Sequence, residues 1–209
     1  YKRKTVKRRF QRSSQAAIER RRRLRVALPR VLNMYSTGPF WRTFLETLGI
    51  QKQNVVWSDE TSEELWREGG KYGSIDPCYP SKVAQAHFHN LLFHHHEKKA
   101  INYILYPAMT HVDSPLENVM DKTSCPIVQG SPNVMAAAFT KEVDFFAERG
   151  IEYLMPAVTM LEPNLIAKQL FEAVEGPLRV TRDEVEFAVK EAFKALAEFE
   201  KRLQKRGRA

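Results

Sequence analysis

Apolar positions along the chain fall into short runs that alternate with stretches of helical spacing. Arg25-Val26-Ala27-Leu28-Pro29-Arg30-Val31-Leu32 predicts a short first strand. Residues 39–49 follow as a helix, with Phe40, Trp41, Phe44, Leu45 and Leu48 on one face and Gly49 as its stop. Val55-Val56-Trp57 predicts a second strand, and Ser62 to Arg67 a short helix that Gly69-Gly70 ends. Ser81 to Lys99 reads as a longer helix carrying Val83, Ala84, His87, Leu91 and Leu92 on one side. A third strand is expected from Ile101 to Pro107, then a loop with Pro115, then a fourth strand at Cys125-Pro126-Ile127-Val128. Pro132 opens the next expected helix, which runs through Val134, Ala138, Phe145 and Phe146 to Gly150. Tyr153 to Val158 predicts a fifth strand and Pro163 to Val174 a helix broken by Gly176-Pro177. Thr181-Arg182-Asp183-Glu184 is a capping box that starts a last helix with Val185, Val189, Phe193, Leu196 and Phe199 on one face. Its basic end, Lys201 to Arg208, suits a helix C-terminus.

Strands alternating with helices of about three turns imply βαβ units around a parallel sheet. The expected fold class is therefore α/β: a Rossmann-like, mainly parallel sheet flanked by helices, with a basic N-terminal extension and a long C-terminal helix. The expected organisation is a basic arm or linker over 1–23, a Rossmann-like domain over 24–175, and a C-terminal helix over 176–209 leading to a following segment. Ligands of such sheets gather beyond the carboxyl ends of the strands. The loops 33–38 and 108–124, and Gly130-Ser131-Pro132, are expected to open on that edge.

Charge changes the picture less than its total suggests. The 209 residues carry a formal +8, but residues 1–30 hold +12 and the remainder −4. A folded surface that binds nucleic acid would itself be basic, so this asymmetry points to a charged tether or solvated helix, from Lys2-Arg3-Lys4 to Arg20-Arg21-Arg22-Arg23, and away from a nucleic-acid partner. No run of 18 apolar residues occurs and the N-terminus lacks a signal-peptide core, so no membrane association and a cytoplasmic location are expected. The chain opens on Tyr1 and a charge run, which reads as a piece of something longer.

The chemistry on offer is sparse. Neither G-x-G-x-x-G nor G-x-x-x-x-G-K-[ST] occurs, nor does a G-x-S-x-G elbow, which argues against dinucleotide, nucleoside triphosphate and serine-hydrolase chemistry. The six histidines, His87, His89, His94, His95, His96 and His111, lack the i, i+4 spacing that would put a zinc pair on one α-helical face. Ser74 to Lys82 reads as a tight turn that delivers Cys78 to a helix start, where the partial positive charge favours a thiolate. Cys78 and Cys125, both beside a proline, read as free thiols or metal ligands rather than a disulfide; buried structural thiols and redox exchange stand as alternatives.

Several separated motifs recur in one order: Leu28-Pro29-Arg30-Val31-Leu32-Asn33-Met34-Tyr35, Pro39-Phe40-Trp41, Ser58-Asp59, Cys78-Tyr79-Pro80-Ser81-Lys82 with His87, Tyr106-Pro107, and Cys125-Pro126-Ile127-Val128. Over residues 25 to about 175 the chain resembles the uncharacterised activase-related domain of large CoA-substrate-specific enzyme activases, which is similar to subunits of 2-hydroxyacyl-CoA dehydratases. The resemblance implies a place beside ATPase modules of the sugar-kinase, heat-shock protein and actin superfamily, in ATP-driven low-potential electron transfer of anaerobic metabolism. It implies an ATPase activase domain or subunit and a dehydratase-like protein as partners, and no catalysis by the isolated domain. It makes Cys78 and Cys125 candidate metal ligands for a [4Fe–4S] or related iron–sulfur cluster, with no ATP site in this segment. A cluster-free docking scaffold is the alternative it leaves open, since Ala108 stands where many relatives place a third cysteine.

Overall fold

The structure, a computed structural model, describes residues 8–72, 78–113, 118 and 121–207. Lys2-Arg3-Lys4, the turn residues Ser74 to Pro77, Pro115 and Arg208 lie outside them. At the centre lies β1 (Val26–Leu28), buried along its whole length. It pairs in parallel with β2 (Val55–Trp57) on one side and β3 (Tyr103–Leu105) on the other, and β3 pairs with β5 (Glu152–Leu154), so the sheet order is β2-β1-β3-β5. Fully apolar β1 and β3 suit strands covered on both faces by crossover helices. The α/β class read from the sequence is the one observed. Among the described residues no helix is long and apolar enough to cross a membrane.

Prolines decide where the strands stop. The first expected strand ends at Leu28 because Pro29 cannot donate, and the chain then turns through Leu32 at φ 46° into a short 3-10 segment, Leu32–Met34. The expected third and fifth strands each continue past a proline as a second strand, β4 (Ala108–His111) and β6 (Ala157–Thr159), which pair in parallel with each other. Tyr106 N–H donates to Leu154 O and Ala108 N–H to Pro156 O, so the ladder passes through the break. In that register the intervening rung would be donated by residue 156, a proline. One missing rung divides a continuous pairing, and β4–β6 projects beyond the carboxyl edge of the main sheet.

The fourth expected strand is absent. Cys125 instead caps α6 (Pro126–Thr140), with Pro126 at its first position and Pro132 inside it. Ser131, Met135 and Phe139 are its buried face, a four-residue repeat that overrides the short apolar run Ile127-Val128. The next helical segment is α7 (Phe145–Glu148), capped by Asp144. Gly176-Pro177 does not break its helix either: α8 (Pro163–Leu178) ends one residue later, at Arg179 in the left-handed region. Its last carbonyls are satisfied from elsewhere. Pro177 O accepts from Arg20 Nη1 at 2.7 Å and from Tyr103 Oη at 3.1 Å, and Leu178 O from Arg21 Nη1 at 3.3 Å.

Those arginines belong to α1 (Gln15–Arg23), which is packed against the body rather than solvated throughout. Arg21 is only 2% exposed. Its guanidinium donates to Leu48 O at 2.6 Å, Arg179 O at 3.0 Å, Ser13 Oγ at 2.9 Å and Glu184 at 3.3 Å. Glu184 is the reciprocal half of the predicted capping box: it accepts from Thr181 N–H at 3.0 Å while Thr181 Oγ1 accepts from Glu184 N–H at 3.2 Å. This opens α9 (Arg182–Gly207), which packs on α8 and on α2 (Gly38–Thr47) with Phe40 edge-on to Phe193 at 4.9 Å.

Opposite α9, α3 (Glu63–Gly69) packs on α4 (Tyr79–His89), and Gly69 sets their approach. A Cβ there would lie 2.5 Å from Ala86 Cα and 2.9 Å from His89 Cβ. Gly69→Ala is expected to force the helices apart and cost about 1–3 kcal/mol in urea unfolding; unchanged stability would show that α3 slides freely. After α4 the helix widens into a π turn, Asn90–His95, before a last α-helical turn, α5 (His96–Lys98).

Candidate functional site

Strand order reverses between β1 and β3, and in open α/β sheets the crevice at that point is where ligands bind. Here it is filled. Thr37, from the loop after β1, meets Met109 of the projecting strand β4, with Thr37 Oγ1 3.9 Å from Met109 Sδ, and Met34 of the same loop is buried as they are. Thr37 Oγ1 also accepts from Trp41 Nε1 at 2.9 Å and donates to Asn33 O at 2.6 Å, which fixes the loop. Ala108 is buried in β4.

Both cysteines precede helices, Cys78 as the sequence suggests and Cys125 in place of the expected fourth strand. Cys78 is the half-buried N-cap of α4 and Cys125 the exposed N-cap of α6. Cys125 follows a short antiparallel pairing in which Ser124 N–H donates to Thr110 O and Val112 N–H to Lys122 O, so it hangs beside the β4–β6 ribbon. Cys78 lies against the α3 side, where Tyr79 meets Trp66 at 5.5 Å. The two thiols are not near each other. A [4Fe–4S] cluster takes four thiolates, or three where a site is open. Two separated thiols do not make a donor set for such a cluster within this chain.

What the fold does bring together is a polar group at the carboxyl end of β2, made of residues far apart in sequence. Ser58 accepts the Arg30 backbone N–H at 2.7 Å, and its Oγ lies 2.8 Å from His87 Nδ1; Thr61 Oγ1 lies 3.0 Å from His87 Nε2. The hydrogen-bond assignment that leaves no hydroxyl proton without an acceptor has Ser58 donating to Nδ1 and Nε2–H donating to Thr61. Both Ser58 and His87 are 0% exposed. Burial, and then the neighbouring Arg30 charge, lower the His87 pKa to about 4. A buried, neutral histidine behind a buried serine braces β2 against α4; it has no access to a substrate. Beside it, Asn90 donates to Asp59 at 2.8 Å and His95 lies 3.1 Å from the same carboxylate. Burial pushes the Asp59 carboxyl up, but the Asn90 hydrogen bond and His95 outweigh it, and its pKa sits below the usual range.

An open groove of about 580 Å³ runs along this edge between α2 and α9, with Arg30, Tyr35, Arg42, Trp57 and Arg202 in its walls. Its arginines are matched by carboxylates: Arg30 by Glu60 at 3.2 Å, Arg42 by Glu46 at 2.8 Å and Arg202 by Glu198 at 3.9 Å. The groove therefore offers mixed polar and aromatic contact rather than a free cationic trap. Of the remaining histidines, His96 Nδ1 accepts from Ile101 N–H at 3.1 Å, and His111 lies in β4 beside Thr110. His89 and His94 are the exception, since the π turn places them together.

Ser58 and His87 both stand in the sequence motifs, but nothing local links positions 29 apart. A family model described as the CoA enzyme activase uncharacterised domain matches residues 25–209. No curated protein and no solved structure matches the chain.

Proposed function

The chain belongs to the CoA enzyme activase uncharacterised domain family, and from that membership we propose that it is a docking domain, placing an ATPase module beside a dehydratase-like partner in ATP-driven low-potential electron transfer. The observation that carries this reading is the filled carboxyl edge: Met34, Thr37 and Met109 occupy the crevice an α/β enzyme would use for its ligand. The nearby Ser58–His87 pair is buried and braces two elements. The separation of Cys78 and Cys125 supports the same reading. Any cluster that includes either thiol takes its other thiolates from a partner.

The test is anaerobic purification of the chain, alone and with an activator-type ATPase and a dehydratase-like subunit, followed by reconstitution and iron and sulfide analysis. The expected result is a stable complex in sedimentation and no iron bound by the chain alone. A charge-transfer band in the isolated chain that disappears in a Cys78→Ala, Cys125→Ala double variant would replace the docking domain with an electron carrier.

A further inference from the structure

On the face of α4 turned to α3, Glu68, His89 and His94 bring a carboxylate oxygen and two imidazole nitrogens within 4.8 Å of one another. The helix geometry responsible is unusual. In an α-helix, residues five apart are separated by about 140° around the axis. The π turn Asn90–His95, in which His96 N–H bonds to Leu91 O five residues back, carries His94 round onto the side of His89. The absence of an i, i+4 pair in the sequence is thus answered by an i, i+5 pair. Gly69 lets α3 close against Ala86 and His89, and the preceding residue, Glu68, then reaches His94 Nε2 at 2.9 Å.

The site is also held still. The His89 ring stacks on Phe93 at 4.6 Å and lies 4.8 Å from the Tyr72 ring. Arg149, the nearby cation on α7's flank, is occupied: its guanidinium lies 4.3 Å from the Phe93 ring centroid, with Nε donating to Leu92 O at 3.3 Å. Glu68 is exposed and both histidines are half-buried, so the group faces solvent on one side.

We infer that Glu68, His89 and His94 form a binding site for a divalent transition-metal ion of the zinc type, clipping α3 to α4 and leaving a coordination position open to water or a partner side chain. Two imidazoles and one carboxylate suit zinc in its four-coordinate geometry with an open fourth position. Ligand atoms in that shell stand about 3.3 Å apart, given metal–nitrogen distances of about 2.0–2.1 Å, and rotation of the exposed Glu68 and half-buried His94 side chains closes the difference.

The experiment titrates Zn²⁺ into the untagged chain carrying Cys78→Ser and Cys125→Ser, so that no thiolate contributes, and repeats the titration with Co²⁺ to read coordination geometry from its visible absorption. One ion per chain is expected, with tetrahedral Co²⁺ bands and a rise of about 5–10 °C in the unfolding midpoint at an ion concentration about 100 times Kd. His94→Ala and Glu68→Gln, both at solvent-facing positions that the fold does not need, are each expected to weaken binding at least tenfold, while His95→Ala, whose partner is Asp59, leaves it unchanged. No saturable binding, or equal affinity in His94→Ala, would reduce the group to a surface ion pair and overturn the inference. Equal loss in His95→Ala would do the same, by showing diffuse binding to the histidine run.

Discussion

Replacing Arg21 by alanine is expected to destabilise the protein by about 3–5 kcal/mol, the cost of removing one partner from a buried, hydrogen-bonded charge pair. The side chain is 3% exposed and joins the N-terminal helix to the ends of α2 and α8 and to the cap of α9. Alanine leaves Glu184 half-compensated and the carbonyls of Leu48, Leu178 and Arg179 without their donor. Glu184 reports the same event from the other side. Burial pushes its carboxyl up, but hydrogen bonds from Thr181 and Ser13, with Arg21 nearby, hold the pKa below the usual range. Urea unfolding of Arg21→Ala beside Arg22→Ala separates the buried from the exposed arginine: the neighbour, in surface pairs with Glu19, is expected to cost less than about 1 kcal/mol. Equal effects would mean that the segment contributes charge alone.

The second large effect concerns pH. His87 has a folded-state pKa of about 4 against an ordinary value of 6.5, so between those limits the unfolded chain binds a proton that the folded chain refuses. Stability is therefore full above pH 6.5 and falls as the pH drops towards 4, by about 3 kcal/mol from this residue. His89 and His96 are lowered as well and add in the same direction, so the slope has to be compared with a variant. His87→Gln keeps a donor and an acceptor for Ser58 and Thr61 but cannot titrate. Unfolding free energies at pH 7 and pH 4.5 are expected to differ by about 2 kcal/mol less in His87→Gln than in the parent. Parallel pH profiles would mean that His87 is hydrated in solution.

These residues show why part of the molecule was legible and part was not. Arg21 sits in a run of four arginines that look alike, and only its burial against the distant Leu48 and Arg179 carbonyls and Glu184 singles it out. The capping box at Thr181 was read correctly because its donors and acceptors lie within four residues. Cys125-Pro126-Ile127-Val128 reads as a strand because the run is short and apolar, whereas the helical repeat of Ser131, Met135 and Phe139 that decides its structure lies downstream. The strands expected up to Pro107 and across Pro156 are present, but β4 lies in the stretch that reads as a loop, and neither the pairing nor the missing rung has a local signal. The filled crevice has no signal in the sequence, since Thr37 and Met109 are ordinary positions 72 residues apart until topology brings them together.

The π turn has a consequence for how relatives of this chain are aligned. A turn of this kind is an α-helix that has gained one residue. Deleting one residue between Asn90 and His95 would restore regular winding while the residues on either side keep their faces, because an i, i+5 pair across the wide turn becomes an i, i+4 pair in an α-helix. Tyr79 to His89 would keep its core register, and His94 would stay beside Glu68 and His95 beside Asp59. A family member one residue shorter in this stretch should therefore carry its gap inside the turn. Placing that gap elsewhere in the helix would equate side chains that point to different faces of the protein.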